Sequence, residues 1–265
     1  MPEGHTVRLH ARRFDRELAG RVVRASSPQG RFVEGAALID GRVLAGTDAH
    51  GKQLFLDFGD DRWLRVHLGL YGTWTFGDGP PPSPRGAVRV RLETAADHGA
   101  WADLRGATAC EVVTTEEKDA VHARLGADPL RRDADVPTLL TKVARSRAPI
   151  GTILMDQSVV AGIGNVYRAE SLFRARLSPF REGRSLGRDD VEALWRDLRV
   201  LLRDGVRRGR IVTTDAADRP RGPIRPEDAH YVYRRSGLGC RRCGTPVATR
   251  VVAGRNLFWC PGCQA

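Results

Sequence analysis

Lysine is nearly absent from this chain. Of its 43 basic residues only Lys52, Lys118 and Lys142 are lysines, and the rest are arginine. Arginine effectively never deprotonates, whereas lysine can lose its proton when buried. Chemistry that needs a lysine amine therefore has three candidate positions. Long apolar runs are missing too, and no stretch reaches the length needed to cross a bilayer. The N-terminus, MPEGHTVRLHARRF, lacks the apolar segment of a secretory signal. These absences lead to the expectation of a soluble, cytoplasmic protein. Cysteine is scarce until the last 26 residues, which hold four of the five. The fifth, Cys110, stands alone in ATACEVV and reads as a small buried hydrophobe.

What is present points toward an anionic partner. The 265 residues carry a net charge of +11, and the sequence pI is near 10.3. A surplus of this size favours nucleic acid, although general solubility charge accounts for it as well. The length suffices for two modest domains, or one domain plus a small module.

Residues 3–18, EGHTVRLHARRFDREL, place Val7, His10, Phe14 and Leu18 on one face at helical spacing, and Gly20 ends the run. From there to about residue 115 the chain turns to β-rich runs separated by Gly, Asp and Pro clusters. GDGPPPSPRG (77–86) reads as a flexible loop between two of them. Short strands at this spacing predict a β-sandwich. Near residue 120 the apolar spacing becomes helical. Residues 213–230, TTDAADRPRGPIRPEDAH, are polar and Pro-rich and read as a mobile loop or linker. The expected organisation is α+β, with a sandwich domain at 1–118, a helical domain at 119–212, a linker at 213–230 and a cysteine module at 231–265.

The cysteines fall as Cys240-x2-Cys243 and Cys260-x2-Cys263, with 16 residues between the pairs. Each CxxC is a tight turn that presents two sulfurs to one metal, so the spacing predicts one structural Zn2+ ion in a four-thiolate site. Disulfides are the alternative, which a cytoplasmic location disfavours. The intervening VVAGRNLFWC reads as a hairpin with Gly254-Arg255-Asn256 at its turn. Arg255 then sits at the tip, either reaching a phosphate or simply exposed.

Pro2 follows the initiator methionine, and its small size permits removal of Met1. A free Pro2 would carry a secondary α-amine with a pKa near 8, so a useful fraction is neutral at pH 7. Such an amine attacks a sugar aldehyde carbon to give an iminium ion, an electron sink for later eliminations. Glu3 is placed to move protons beside it. Proline at a first helical position and glutamate in the first turn are equally good helix-start chemistry.

Five segments in order carry more than any of them alone: MPEGHT, HGKQLF (50–55), HLGLYG (67–72), MDQSVVAGIGNVYRAESLF (155–173) and YRR…CxxCG…GRNxFWCPxCQ (233–264). Together they resemble the Fpg/Nei family of formamidopyrimidine-DNA glycosylases and endonuclease VIII enzymes over nearly the whole chain. The resemblance implies an N-terminal β-sandwich with a catalytic N-terminal helix, a helix–two-turn–helix domain and a zinc finger, with DNA bound in the cleft between the two halves. It implies Pro2 as the Schiff-base nucleophile and Glu3 as the acid that opens the deoxyribose. Lys52, read here in the strand GKQLF, takes the role in β-elimination and phosphate contact; an edge-strand charge is its alternative. Arg255 takes the phosphate grip and δ-elimination, and Asn165 the phosphate-binding turn, where Gly-Ile-Gly and a helix N-terminus favour an anion. Leu70 and Tyr71 match the wedge that fills the gap left by an everted base, or else pack in a turn. Arg105 matches a residue that faces the orphaned base or the backbone.

The opening Pro2-Glu3-Gly4-His5-Thr6 lacks the second glutamate of the purine-directed branch, and LGLYG carries an aromatic residue. Both departures are similar to the endonuclease VIII branch, which implies oxidised pyrimidines as targets. The partner expected is damaged double-stranded DNA, acted on by a monomer with no membrane and no small-molecule cofactor. The alternatives are a formamidopyrimidine- or 8-oxoguanine-directed enzyme of the same family and a non-enzymatic zinc-ribbon DNA-binding protein.

Overall fold

The computed structural model describes residues 2–94 and 99–264. The chain divides into two compact units, residues 1–124 and 125–265.

In the first unit, helix α1 (Gly4–Glu17) forms where the spacing predicts it. Val7, Ala11 and Phe14 recur every three to four residues and are buried, and Leu18 completes the stripe just past the helix. His10 packs on Phe76 with ring centroids 5.7 Å apart. Nine strands among the described residues make two antiparallel sheets. One runs β2 (Arg42–Val43), β1 (Val22–Ser26), β7 (Val88–Thr94), β8 (Ala100–Arg105), β6 (Thr73–Asp78). The other runs β3 (Gly46–His50), β4 (Gln53–Asp57), β5 (Trp63–His67), β9 (Ala109–Val113). Leu92 and Leu104 of the first sheet meet Leu54, Leu64 and Val66 of the second, together with Phe14 of α1, in one cluster. This is the sandwich that alternating inward residues require.

Two details of this unit differ from the sequence reading. The β-rich run contains a short helix, α2 (Val33–Ile39), whose Ala36 and Ile39 join the same cluster. Seven residues are too few for a helical period to stand out beside strand-like neighbours. The 77–86 segment is also tethered. Its first two residues end β6, Arg91 donates to Pro82 O at 2.8 Å, and Arg105 Nε donates to Arg85 O at 3.0 Å. Both arginines pair with Asp103, at 2.7 and 2.9 Å, whose side chain is fully buried.

Helix α3 (Thr115–Ala123) starts in a capping box between Thr114 and Glu117. It packs Val121 against Phe55 and Val113, and Trp63 Nε1 donates to Thr115 Oγ1 at 3.1 Å. The expected edge at residue 118 falls inside this helix, and the compact unit closes at Arg124.

The second unit holds α4 (Val136–Arg145), α5 (Ile150–Ile153), α6 (Asn165–Arg174) and α7 (Arg188–Arg208). Asp135 caps α4, and Gly209 ends α7 in the left-handed conformation at φ 69°. The hairpin of β10 (Ala248–Val252) and β11 (Arg255–Trp259) belongs to a cluster with α6, in which Val166, Ala169 and Phe173 meet Tyr231 and Phe258. The 213–230 segment is a closed loop whose ends meet. Thr213 N–H donates to Ala229 O at 2.8 Å, and Thr214 Oγ1 donates to Asp228 O at 2.7 Å. Among the described residues no helix is long and apolar enough to cross a membrane.

Candidate active site and nucleic-acid interface

In the first unit, Pro2 is half-buried and Glu3 is the extended residue that precedes α1, at φ −127° and ψ −178°. The Glu3 carbonyl accepts Thr6 N–H at 2.9 Å, which starts the helix. Its side chain is fully buried. As the residue that precedes α1, Glu3 makes no capping bond through its side chain. His5 follows, also buried, and burial is the main cause that lowers its pKa to about 4. His10, one turn further, is lowered to about 4, again chiefly by burial and then by Arg13. Both imidazoles are neutral at physiological pH.

Lys52 lies in the turn between β3 and β4, not inside a strand. His50 pairs with Gln53, which leaves Gly51 and Lys52 as a two-residue hairpin turn. Gly51 has φ 59°, the sign that primed hairpin turns require. The hairpin is tied to the helix that follows Pro2. Arg8 Nη2 donates to Ala49 O at 2.8 Å, and Thr47 Oγ1 donates to Ala11 O at 3.3 Å. The His67 imidazole feels Lys52 directly, since burial and then the charges of Lys52 and Arg65 lower its pKa.

Leu70 and Tyr71 occupy the corner where the chain leaves β5 and enters β6, crossing between sheets. Tyr71 is 85% exposed and Leu70 49%. The loop beneath them is locked. Gly72 N–H donates to Leu68 O at 2.9 Å, and a Cβ on Gly72 would lie 2.2 Å from that oxygen. Gly69 adopts φ 66° and donates to His67 Nδ1 at 3.2 Å. A rigid turn thus presents two apolar side chains to solvent. Arg105 sits at the end of β8, paired with Thr73 at the start of β6. Its guanidinium is engaged with Asp103, Arg85 O and Thr75 Oγ1, so it braces this corner.

In the second unit, Asn165 is the first residue of α6, after Gly162 at φ 90° and Gly164 as N-cap. Its side-chain amide donates to Asn256 O at 2.9 Å, which joins the helix start to the finger hairpin. Arg168, one turn along and 1% exposed, binds Asn165 Oδ1 and also reaches Gly151 O and Asn256 O, each at 3.4 Å. The hairpin turn is Ala253-Gly254, with φ of 49° and 72°, so Arg255 is the exposed first residue of β11 and not the turn itself. A cavity of about 290 Å³ lies between Thr152, Met155 and Asp156 on one side and Val252, Ala253 and Arg255 on the other, with Arg168 in its lining.

The four cysteines converge. Cys240, Cys243, Cys260 and Cys263 place their sulfurs within 4.8 Å of one another, with separations of 3.9 Å for Cys240–Cys263 and 3.4 Å for Cys243–Cys260. A tetrahedron with metal–sulfur bonds of about 2.3 Å has edges of roughly 3.8 Å. The donor set and its spacing therefore fit one zinc ion.

Sequence reasoning passed over three residues that this geometry singles out. They are Arg168, His67 and Glu170, whose fully buried carboxylate accepts the N–H groups of Tyr231, Val232 and Tyr233 at 2.7–2.8 Å and the Thr213 hydroxyl. The available signal was an acid within the apolar stripe Val166, Ala169, Phe173.

Comparison with known proteins matches three family models: the formamidopyrimidine-DNA glycosylase N-terminal domain over residues 1–110, the H2TH domain of the same enzymes over 125–217, and the zinc finger found in FPG and IleRS over 237–265. Endonuclease 8 1 of Mycobacterium tuberculosis is 46% identical over 280 residues, covering all of both chains. The crystal structure of the MutM (Fpg) protein of Thermus thermophilus is 32% identical, with a TM-score of 0.75 over 99% of this chain and 98% of that one. The Lactococcus lactis Fpg mutant in complex with DNA containing Fapy-dG shares the fold, with a TM-score of 0.79 at 23% identity over 99% of each chain.

Proposed function

Since this chain belongs to the Fpg/Nei family of DNA glycosylases, which act in base excision repair, we propose that it excises oxidised pyrimidines from duplex DNA and cleaves the strand through a Schiff base at Pro2. With Met1 removed, the Pro2 amine attacks C1′ of the damaged nucleotide and the base departs. Glu3 protonates the sugar ring oxygen as the ring opens, leaving an iminium ion. That ion draws electrons from C2′, whose proton is lost as the 3′ phosphate leaves in β-elimination, with Lys52 serving this step and a flanking phosphate. A second elimination expels the 5′ phosphate, with Arg255 gripping the backbone. Hydrolysis of the iminium then frees the amine.

The observation that carries this reading is the fully buried Glu3 carboxyl next to Pro2, on a helix bonded through Arg8 to the hairpin that bears Lys52. A carboxyl shielded from water trades its proton with a bound reactant and not with solvent. In the second unit, Asn165 and Arg255 would hold phosphates around α6 and the finger, which the four cysteines keep folded around one Zn2+. Leu70 and Tyr71 would enter the gap left by the everted base, and Arg105, besides bracing that corner, would lie against the orphaned base or backbone. The likeness to an endonuclease 8, the exposed Tyr71 and the absent second glutamate support pyrimidine lesions.

Borohydride reduction tests the chemistry. Protein with a processed N-terminus should form a covalent adduct with abasic and thymine glycol duplexes, and protein that retains Met1, in which the Pro2 nitrogen is an amide, should form none. Strand cleavage by the Met1-retaining protein at the processed protein's rate would mean another nucleophile. Preferential excision of formamidopyrimidine or 8-oxoguanine from a lesion panel would move the chain to the purine-directed branch.

A further inference from the structure

The Cys240-Arg241-Arg242-Cys243 turn contains two arginines, and both guanidiniums are committed to the 213–230 loop. Arg242 lies over the Tyr231 ring, 4.8 Å from its centroid, and reaches the carboxylates of Asp215 at 3.2 Å and Asp218 at 3.3 Å on the first stem. Arg241 donates to Glu227 O at 2.7 Å, to the Asp228 carboxylate at 3.2 Å and to His230 O at 3.2 Å on the second stem. A single metal-binding turn therefore bridges both stems. The Tyr231 hydroxyl reinforces the closure, accepting Asp215 N–H at 2.9 Å and donating to Asp218 Oδ2 at 2.6 Å.

Charge along the loop is sorted by position. Asp215, Asp218 and Asp228 are paired at the stems, where Arg174 adds a contact to Asp215 at 2.8 Å. The tip, residues 219–226, reads RPRGPIRP and contains no acid. Arg219 turns inward to Thr214 O at 2.5 Å, whereas Arg221 and Arg225 are exposed. Three prolines restrict the tip backbone, which lowers the entropy lost when it is ordered by a partner. Two outward guanidiniums on a stiff, acid-free tip match the bidentate geometry of phosphate.

We infer that the first zinc-binding turn clamps this loop through Arg241 and Arg242, and that Arg221 and Arg225 at its tip contact the phosphate backbone of DNA. The inference rests on the DNA-repair reading above. The zinc turn thereby has a second task besides folding the finger, which is to set the pose of a separate DNA-contacting arm.

Two measurements test it. The first is the salt dependence of binding to a duplex with an abasic analogue. Arg221→Ala/Arg225→Ala should flatten the slope of log K against log salt by about 2, close to one unit per lost phosphate contact. Borohydride trapping at low salt and saturating DNA should persist. An unchanged slope overturns the tip contact. The second is limited trypsin digestion. Arg219 and Arg225 precede proline, which blocks the protease, so Arg221–Gly222 is the cleavable bond in the tip. Asp215→Asn/Asp218→Asn leaves the four thiolates untouched and should speed that cleavage several-fold. A wild-type cleavage rate overturns the clamp. Absence of trapping by the wild type would instead condemn the glycosylase reading, and the slope and digestion would still report on the loop.

Discussion

Two hairpins of this chain offer a basic side chain in or beside a two-residue turn, and they are supported differently. The Gly51-Lys52 turn joins strands of a four-stranded sheet, with α1 tied to it by Arg8 and the sandwich cluster beneath. The Ala253-Gly254 turn joins a ribbon of only two strands. An isolated hairpin of that size is marginal in water. It is held by thiolates at its base and by Asn165 and Arg168 reaching Asn256 O near its tip. The first hairpin rests on the sandwich core alone, whereas the second adds to the apolar contact of Phe258 with α6 a set of point contacts that can be removed singly.

Loss of the metal should separate the two most sharply. Cys243→Ser, or chelation, removes a ligand set whose binding is linked to folding by on the order of 10 kcal/mol in small zinc modules. The finger should unfold and DNA binding should collapse, while the sandwich keeps its own melting transition. A single transition lost together with zinc would show that the units are not independent. Acid should attack the other side. The folded-state pKa values of His5 and His10 are lowered from 6.5 to about 4, so the unfolded chain binds protons first as pH falls. Stability of the first unit should therefore be intact above pH 6.5 and decline from there to about pH 4, by up to about 3 kcal/mol per histidine. Urea melts across that window check the slope, and His5→Phe should reduce it. The smallest effect belongs to Arg255→Ala. It should leave zinc content and melting temperature unchanged and reduce the salt slope of DNA binding by about 1. Zinc loss in that variant would show that Arg255 supports the finger.

How much of this was readable beforehand follows the range of the interactions. The face of α1 was legible because Val7 and Phe14 repeat within one helix and Leu18 follows at its end, and the metal site because each CxxC is local. The turn position of Lys52 was one or two residues away from the reading, since strand ends depend on which partner pairs where. The tethers of the two Pro-rich segments were illegible for a different reason. Proline announces an irregular backbone, but the tethers come from Arg91, Arg105, Arg241 and Arg242, bound to carbonyl and carboxylate oxygens that no local pattern links to them. Arg168 and Glu170 were hidden in the same way, because a charged residue on a helix shows its burial only once the neighbouring chain is in place.

The corner at Leu68–Gly72 separates backbone from cargo. Its path is determined by Gly69, by Gly72 and by the bond to Leu68 O, whereas the side chain at 71 is almost wholly in solvent and that at 70 half so. Residues at those two places are therefore interchangeable without refolding the loop, like bits fitted to one tool holder. A lineage can alter what it displays at this corner at little stability penalty, while a single methyl group at position 72 would jam the holder itself.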